Sequence, residues 1–273
     1  MLDLSDELNA KTNILANNTG PDSFELFKTE LDKLSNKQLS NVKEAFEKIK
    51  FIINNNLCEW IMSDVIKMLM PLMETSCKPT QKEYSMYLIQ FIKEKYENQI
   101  QSSLIELVPV ISNLFWDTKP IISATAKKLL TEIIKCSGNK DLEPFLPVVY
   151  RTFELPESIP EAVEKLAGCV FVQNVECSAL AIIEPILIRG LKDNKYEVMR
   201  KSCVILDNMC KLVEHPKEVL PLISKLLPLV ENCAENISDP EAREIASKAL
   251  KTLKGSCGTD AVIMKKTHDD IKK

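Results

Sequence analysis

The chain has 273 residues, 45% of them hydrophobic and 27% charged, with a formal charge of −4. Apolar content at this level supplies a core and argues against wholesale disorder, and 6 glycines are too few for an all-β fold rich in tight turns. The net charge by itself does not point to nucleic acid, although a global sum hides local patches.

Residues 1–22 hold Asn9, Asn13, Asn17 and Asn18 with little apolar content, and read as a frayed leader or weak helix ended by Gly20-Pro21. Ser23 is expected to start a helix whose Phe24, Leu26, Phe27, Leu31 and Leu34 make one apolar face. A second helix carries Val42, Ala45, Phe46, Ile49, Ile52 and Ile53 and stops at Asn54-Asn55-Asn56. Regular units follow. Pro71, Pro109, Pro147 and Pro185 recur every 38 residues and Pro228 comes 43 later, each within an apolar run such as Leu107-Val108-Pro109-Val110-Ile111.

In each unit a first helix is expected to carry the periodic proline as an interior kink, a short loop follows, and a return helix completes a hairpin. The loop Thr118-Lys119 leads to Pro120, a favoured first helical residue. The return helix then turns Ile121, Ala124, Ala126, Leu129, Leu130 and Ile133 inward. Leu191 to Lys195 precede a return helix over 198–212, and Ser238-Asp239-Pro240 one over 242–253, with the loop aspartates expected to cap. Ala124, Leu130, Ile134, Leu166, Val204, Leu206, Ala246 and Leu250 are the expected buried residues of return helices. A period near 40 residues with two helices per period is the pattern of HEAT or armadillo repeats. The predicted fold is an all-α, right-handed superhelical solenoid of about five to seven hairpins spanning 23–255, between the leader at 1–22 and a charged tail at 256–273.

Nine cysteines lie at apolar helical positions with no Cys-x-x-Cys pair, and are read as reduced, buried thiols. With only His215 and His268, neither a metal centre nor a His-dependent catalytic arrangement is expected. The six glycines never frame a phosphate-binding loop, so no cofactor, small-molecule substrate or enzymatic activity is expected. No apolar run reaches membrane-spanning length, and the first residues are acidic where a signal peptide is basic, which gives a cytoplasmic expectation with no membrane partner.

What remains is surface. Lys192, Lys195, Arg200 and Lys201 gather at one loop, and Lys119, Lys127 and Lys128 at another, as candidates for RNA or ribosome contact through phosphate. Arg200 is also expected to pair with Asp193, a structural role that competes with RNA contact.

The run Glu106-Leu107-Val108-Pro109-Val110 leading to Leu114-Phe115-Trp116-Asp117-Thr118-Lys119 closely resembles the HEAT region of fungal translation elongation factor 3. So do Asp207-Asn208-Met209-Cys210-Lys211-Leu212 and Asp239-Pro240-Glu241-Ala242-Arg243-Glu244, and the resemblance runs from about 104 to about 255. It implies a translation-related, ribosome-associated, RNA-binding solenoid that docks on ribosomal RNA and ribosomal proteins near the small-subunit head and central protuberance. The ATP-binding cassettes of that family have no counterpart here, so ATP turnover and transfer-RNA release are not carried over. The chain is expected to be a HEAT fragment of a longer factor or a stand-alone reduced relative, the initial methionine and distinct leader favouring the second. Two alternatives stay open: a regulatory scaffold resembling the general-control kinase-activator HEAT platform, and a tubulin-binding HEAT domain. Tubulin binders of that kind present an aromatic residue in the first intra-repeat loop, where this chain has Lys78-Pro79-Thr80 and only Trp116 at a loop edge.

Overall fold

The computed structural model describes residues 21–36 and 38–257. The leader expected at 1–22 therefore falls outside the described residues apart from Pro21 and Asp22, and the tail expected at 256–273 does so from 258 onward. Among the described residues every regular element is a helix, as the all-α expectation requires. Twelve α-helices are described: α1 (Pro21–Asp32), α2 (Leu39–Asn55), α3 (Met62–Leu69), α4 (Pro79–Lys95), α5 (Glu97–Asn113), α6 (Pro120–Ile133), α7 (Leu146–Glu154), α8 (Ile159–Ala167), α9 (Cys177–Gly190), α10 (Tyr196–Cys210), α11 (Leu220–Asn236) and α12 (Pro240–Ser256). In chain order they form six hairpins, within the expected range. None is long and apolar enough to cross a membrane.

The described residues divide into two compact units, one drawn from 21–103 and 110–129 and the other from 104–109 and 130–257. In the first unit α1 packs on α2 and α2 on α4. Phe46 on α2 meets Tyr84 and Tyr87 on α4 edge to face, with ring centroids 5.1 and 6.4 Å apart. In the second unit the return helix α10 packs against the return helices α8 and α12, while the first helix α9 packs against α7 and α11. Like helix on like helix is how stacked hairpins bury a continuous core. Gly190 permits one of these approaches: a Cβ there would stand 2.2 Å from the Ser202 hydroxyl and 3.2 Å from the Val163 side chain.

The periodic prolines take three positions rather than one. Pro109, Pro185 and Pro228 sit inside α5, α9 and α11 as expected. Pro147 instead stands in the first turn of α7, where no intrahelical partner for its nitrogen is required. Pro71 lies in the 3-10 turn Met70–Met73 that follows α3. Interior kinking therefore accounts for three of the five, and the first helices of the other two hairpins are shorter.

Burial corrects the return-helix stripes by one residue in places. Leu130, Ile134, Leu166, Leu206 and Ala246 are buried as expected. Ile121 is 55% exposed and Ala124 is exposed, while Ile122 is buried instead, alongside Ala126, Leu129 and Ile133, which are buried as expected. Val204 and Leu250 are half-buried beside fully buried Cys203, Ile205, Ala249 and Leu253. The buried stripe of α6 starts at Ile122, one residue after Ile121, and continues through Ala126, Leu129, Leu130 and Ile133 at helical spacing.

Candidate functional site

The surface cations lie on turns that are fixed from both sides. At the fourth residue of three return helices a side chain reaches back to a backbone carbonyl of the segment before the helix: Lys82 Nζ donates to the Thr75 carbonyl at 3.2 Å, Ser123 Oγ to Phe115 at 2.7 Å and Arg243 Nη1 to Ile237 at 2.6 Å. Each follows a proline at the first helical position, Pro79, Pro120 or Pro240. The residue type varies from Lys to Ser to Arg, so the clamp is a matter of position and escapes a search for one residue type.

Aspartates organise the turns, but only Asp239 caps a helix, accepting from the Ala242 N–H at 2.8 Å. Asp117 accepts from the Lys119 N–H at 2.9 Å and Asp193 from the Lys195 N–H at 2.8 Å, each folding its own turn two residues on. Asp117 also receives Lys82 Nζ at 2.7 Å, with both side chains largely shielded from solvent. The hydrogen bond from Lys82, then that from the Lys119 N–H, holds the Asp117 carboxyl below the usual carboxylate range.

In the second unit the turn after α9 is closed by Leu191 N–H to Leu187, Lys192 N–H to Arg189 and Asp193 N–H to Gly190. Lys192 and Lys195 are exposed on this turn, and neither takes part in an ion pair among the described residues. Arg200 and Lys201 are committed elsewhere. Arg200 Nη2 pairs with Glu241 on α12 at 2.8 Å, and Lys201 pairs with Glu164 on α8. The expected Arg200–Asp193 pair does not form, because Asp193 turns toward its own loop and Glu241 comes within reach on the neighbouring return helix. The four cations thus separate into two that tie α10 to its neighbours and two that face solvent.

In the first unit Lys119 is exposed on the turn before α6. Lys127 is half-buried with Nζ 5.8 Å from the Phe115 ring centroid, and Lys128 is exposed. Sequence reasoning gave the aromatic side chains little weight. Trp60 is 73% exposed and Trp116 66% exposed, although large aromatic rings ordinarily contribute buried area.

All nine cysteines are free thiols, and among the described residues no cluster of His, Cys, Asp and Glu is arranged to hold a metal. Burial pushes the Cys210 thiol up to about 12 and the Cys177 thiol up to about 11, leaving both poor nucleophiles at neutral pH. Long-range polar contacts here join helices and turns rather than assembling a nucleophile with a base.

Two family descriptions match the chain: "EF3 N-terminal HEAT repeat" over 5–130 and "Elongation factor 3/GNC1 HEAT repeat" over 157–262. The chain belongs to the elongation factor 3 HEAT-repeat family. Elongation factor 3B of Saccharomyces cerevisiae is 39% identical over 198 residues, covering 72% of this chain and 19% of the relative. Elongation factor 3 of Pneumocystis carinii is 39% identical over 180 residues, covering 66% and 17%, and that of Phytophthora infestans 36% identical over 200 residues, covering 73% and 19%. The chain thus spans about one fifth of the length of these elongation factor 3 relatives. Together with the paired helices, the family identifies the fold as an all-α HEAT solenoid.

Proposed function

We propose that this chain is a non-catalytic docking module that binds the ribosome in the cytoplasm, holding ribosomal RNA through its exposed turns and ribosomal protein through neighbouring surface. Membership of the elongation factor 3 HEAT family supports the ribosome as partner, and the proposed location, near the small-subunit head and central protuberance, is what the sequence resemblance implies. The observation that carries the RNA contact is the division among the second unit's cations. Lys192 and Lys195 stand exposed on a turn whose backbone is fixed by Asp193, while Arg200 and Lys201 are spent on Glu241 and Glu164. Exposed lysines on a rigid turn attract phosphate without reading sequence, and their contribution weakens as salt rises. Lys119 plays the same part in the first unit, with Lys127 lending a less accessible charge.

Co-sedimentation of the purified chain with ribosomes at low and moderate salt tests the reading. Binding that falls steeply between the two supports it, and absence from the ribosomal pellet at both overturns it. A scaffold role on the ribosome is the second reading, favoured by the GNC1 named in the family matched over 157–262. It would show as capture of a regulatory protein by ribosome-bound chain.

A further inference from the structure

The turn between α5 and α6 presents an aromatic ring and a cation together. Leu114 and Phe115 are buried, so the 3-10 turn Leu114–Trp116 is anchored by its first two residues while its third, Trp116, stands 66% exposed. The backbone on either side is pinned by Asp117 N–H to Leu114 at 3.1 Å and by Ser123 Oγ to the Phe115 carbonyl at 2.7 Å. Trp116 is thus held at the surface with two thirds of its side chain open.

Within its own turn the charge left to solvent has one sign. The Asp117 carboxylate is taken up by Lys82 at 2.7 Å and by the Lys119 N–H at 2.9 Å, so the charge that this turn offers to solvent is that of Lys119. Trp60 provides the contrast: it is 73% exposed but flanked by exposed Glu59 and Asp64, an acidic setting that repels phosphate. In the second unit exposed Tyr196 follows exposed Lys195, a weaker version of the same pairing because the exposed carboxylate of Glu197 is its next neighbour.

We propose that Trp116 is a base-stacking platform for an unpaired nucleotide of single-stranded RNA, with Lys119 holding a flanking phosphate. This deepens the ribosome-docking reading and rests on it for the source of the RNA. The chemistry is general. Every base has a π-face, so a rigid exposed indole beside a cation takes an unstacked nucleotide with little sequence preference, whereas a duplex hides its bases within the stack.

The chain has two tryptophans, so Trp60→Phe in the full chain leaves Trp116 as the only indole emitter. Titration with a 12-nucleotide oligouridylate and with an oligoadenylate of the same length is expected to quench that emission saturably, while an RNA duplex of matched length quenches it far less. Trp116→Ala, checked for unchanged helicity, is expected to weaken oligonucleotide binding by about tenfold, and Trp116→Phe to retain most of it. Trp60→Ala is expected to leave binding unaltered. Equal affinity of Trp116→Ala and the parent chain for the oligonucleotides overturns the proposal. So does the case in which Trp116→Ala lowers ribosome co-sedimentation while oligonucleotide binding is intact, since the indole then seats against protein. The oligonucleotide measurements need no ribosome, and a chain that is quenched by RNA but never pellets with ribosomes separates failure of the docking reading from failure of the platform.

Discussion

Lys82 on α4 and Asp117 at the end of the next first helix form an ion pair at 2.7 Å, with side chains 7% and 10% exposed. The pair joins successive hairpins of the first unit. Lys82 also bonds the Thr75 carbonyl and Asp117 also accepts from Lys119 N–H, so each partner has a second role in closing a turn.

Lys82→Ala is therefore expected to destabilise the chain by about 3 to 5 kcal/mol, because the aspartate stays shielded with its charge uncompensated. The pH dependence has a definite sign. Asp117 is held below the ordinary carboxylate range by Lys82 first, so its contribution is present above about pH 4, the unfolded value, and is lost as pH falls through the lower folded value. Melting temperature followed from pH 6 to pH 2 should show a shallower acid-side decline in Lys82→Ala than in the parent chain, and parallel curves would show that the pair contributes nothing.

Leu206 is fully buried on α10, and Leu206→Ala is expected to cost about 2 to 5 kcal/mol by leaving a cavity. Ala124 lies on the exposed face of α6, so Ala124→Ser should change stability by no more than about 0.5 kcal/mol. Urea unfolding of the two variants side by side checks both placements, and an unmoved midpoint for Leu206→Ala would count against the first.

The hairpin repeat was legible because apolar periodicity and the proline stride report the same spacing. What the stride did not reveal was the role of each proline: Pro147 opens a helix and Pro71 sits beyond one, a difference set by where the previous loop ends. At the candidate site Lys192 and Lys195 could be recognised as exposed from their loop. The engagement of Arg200 with Glu241 and Lys201 with Glu164 could not, since the partners lie 41 and 37 residues away and belong to neighbouring hairpins. The Asp117–Lys82 pair, 35 residues apart, escaped for the same reason.

The thiols give an independent prediction. Cys58 is exposed, Cys77 and Cys177 are half-buried, and the other six are buried. A brief maleimide pulse on the native chain is expected to label Cys58 first. Cys210, held up at about 12 by burial, should react only on unfolding. Intact mass under non-reducing conditions should match nine free thiols, and a loss of two hydrogens for any pair would contradict the free state.

The separation between solvent-facing and committed cations leads to the last prediction. Lys192→Glu with Lys195→Glu changes two charges that no carboxylate among the described residues engages, so melting temperature should hold while ribosome co-sedimentation falls and its dependence on salt becomes shallower, each lost phosphate contact removing about one counterion's worth of slope. Arg200→Ala with Lys201→Ala should do the reverse in part: the ties from α10 to Glu241 and Glu164 are lost, at a modest cost for partly exposed pairs, with binding affected only as far as the turn is loosened. If the double reversal at 192 and 195 left co-sedimentation unchanged at moderate salt while the double alanine at 200 and 201 abolished it without unfolding, the assignment of roles among these four cations would be inverted, and the RNA-facing charge would have to come from α10 itself.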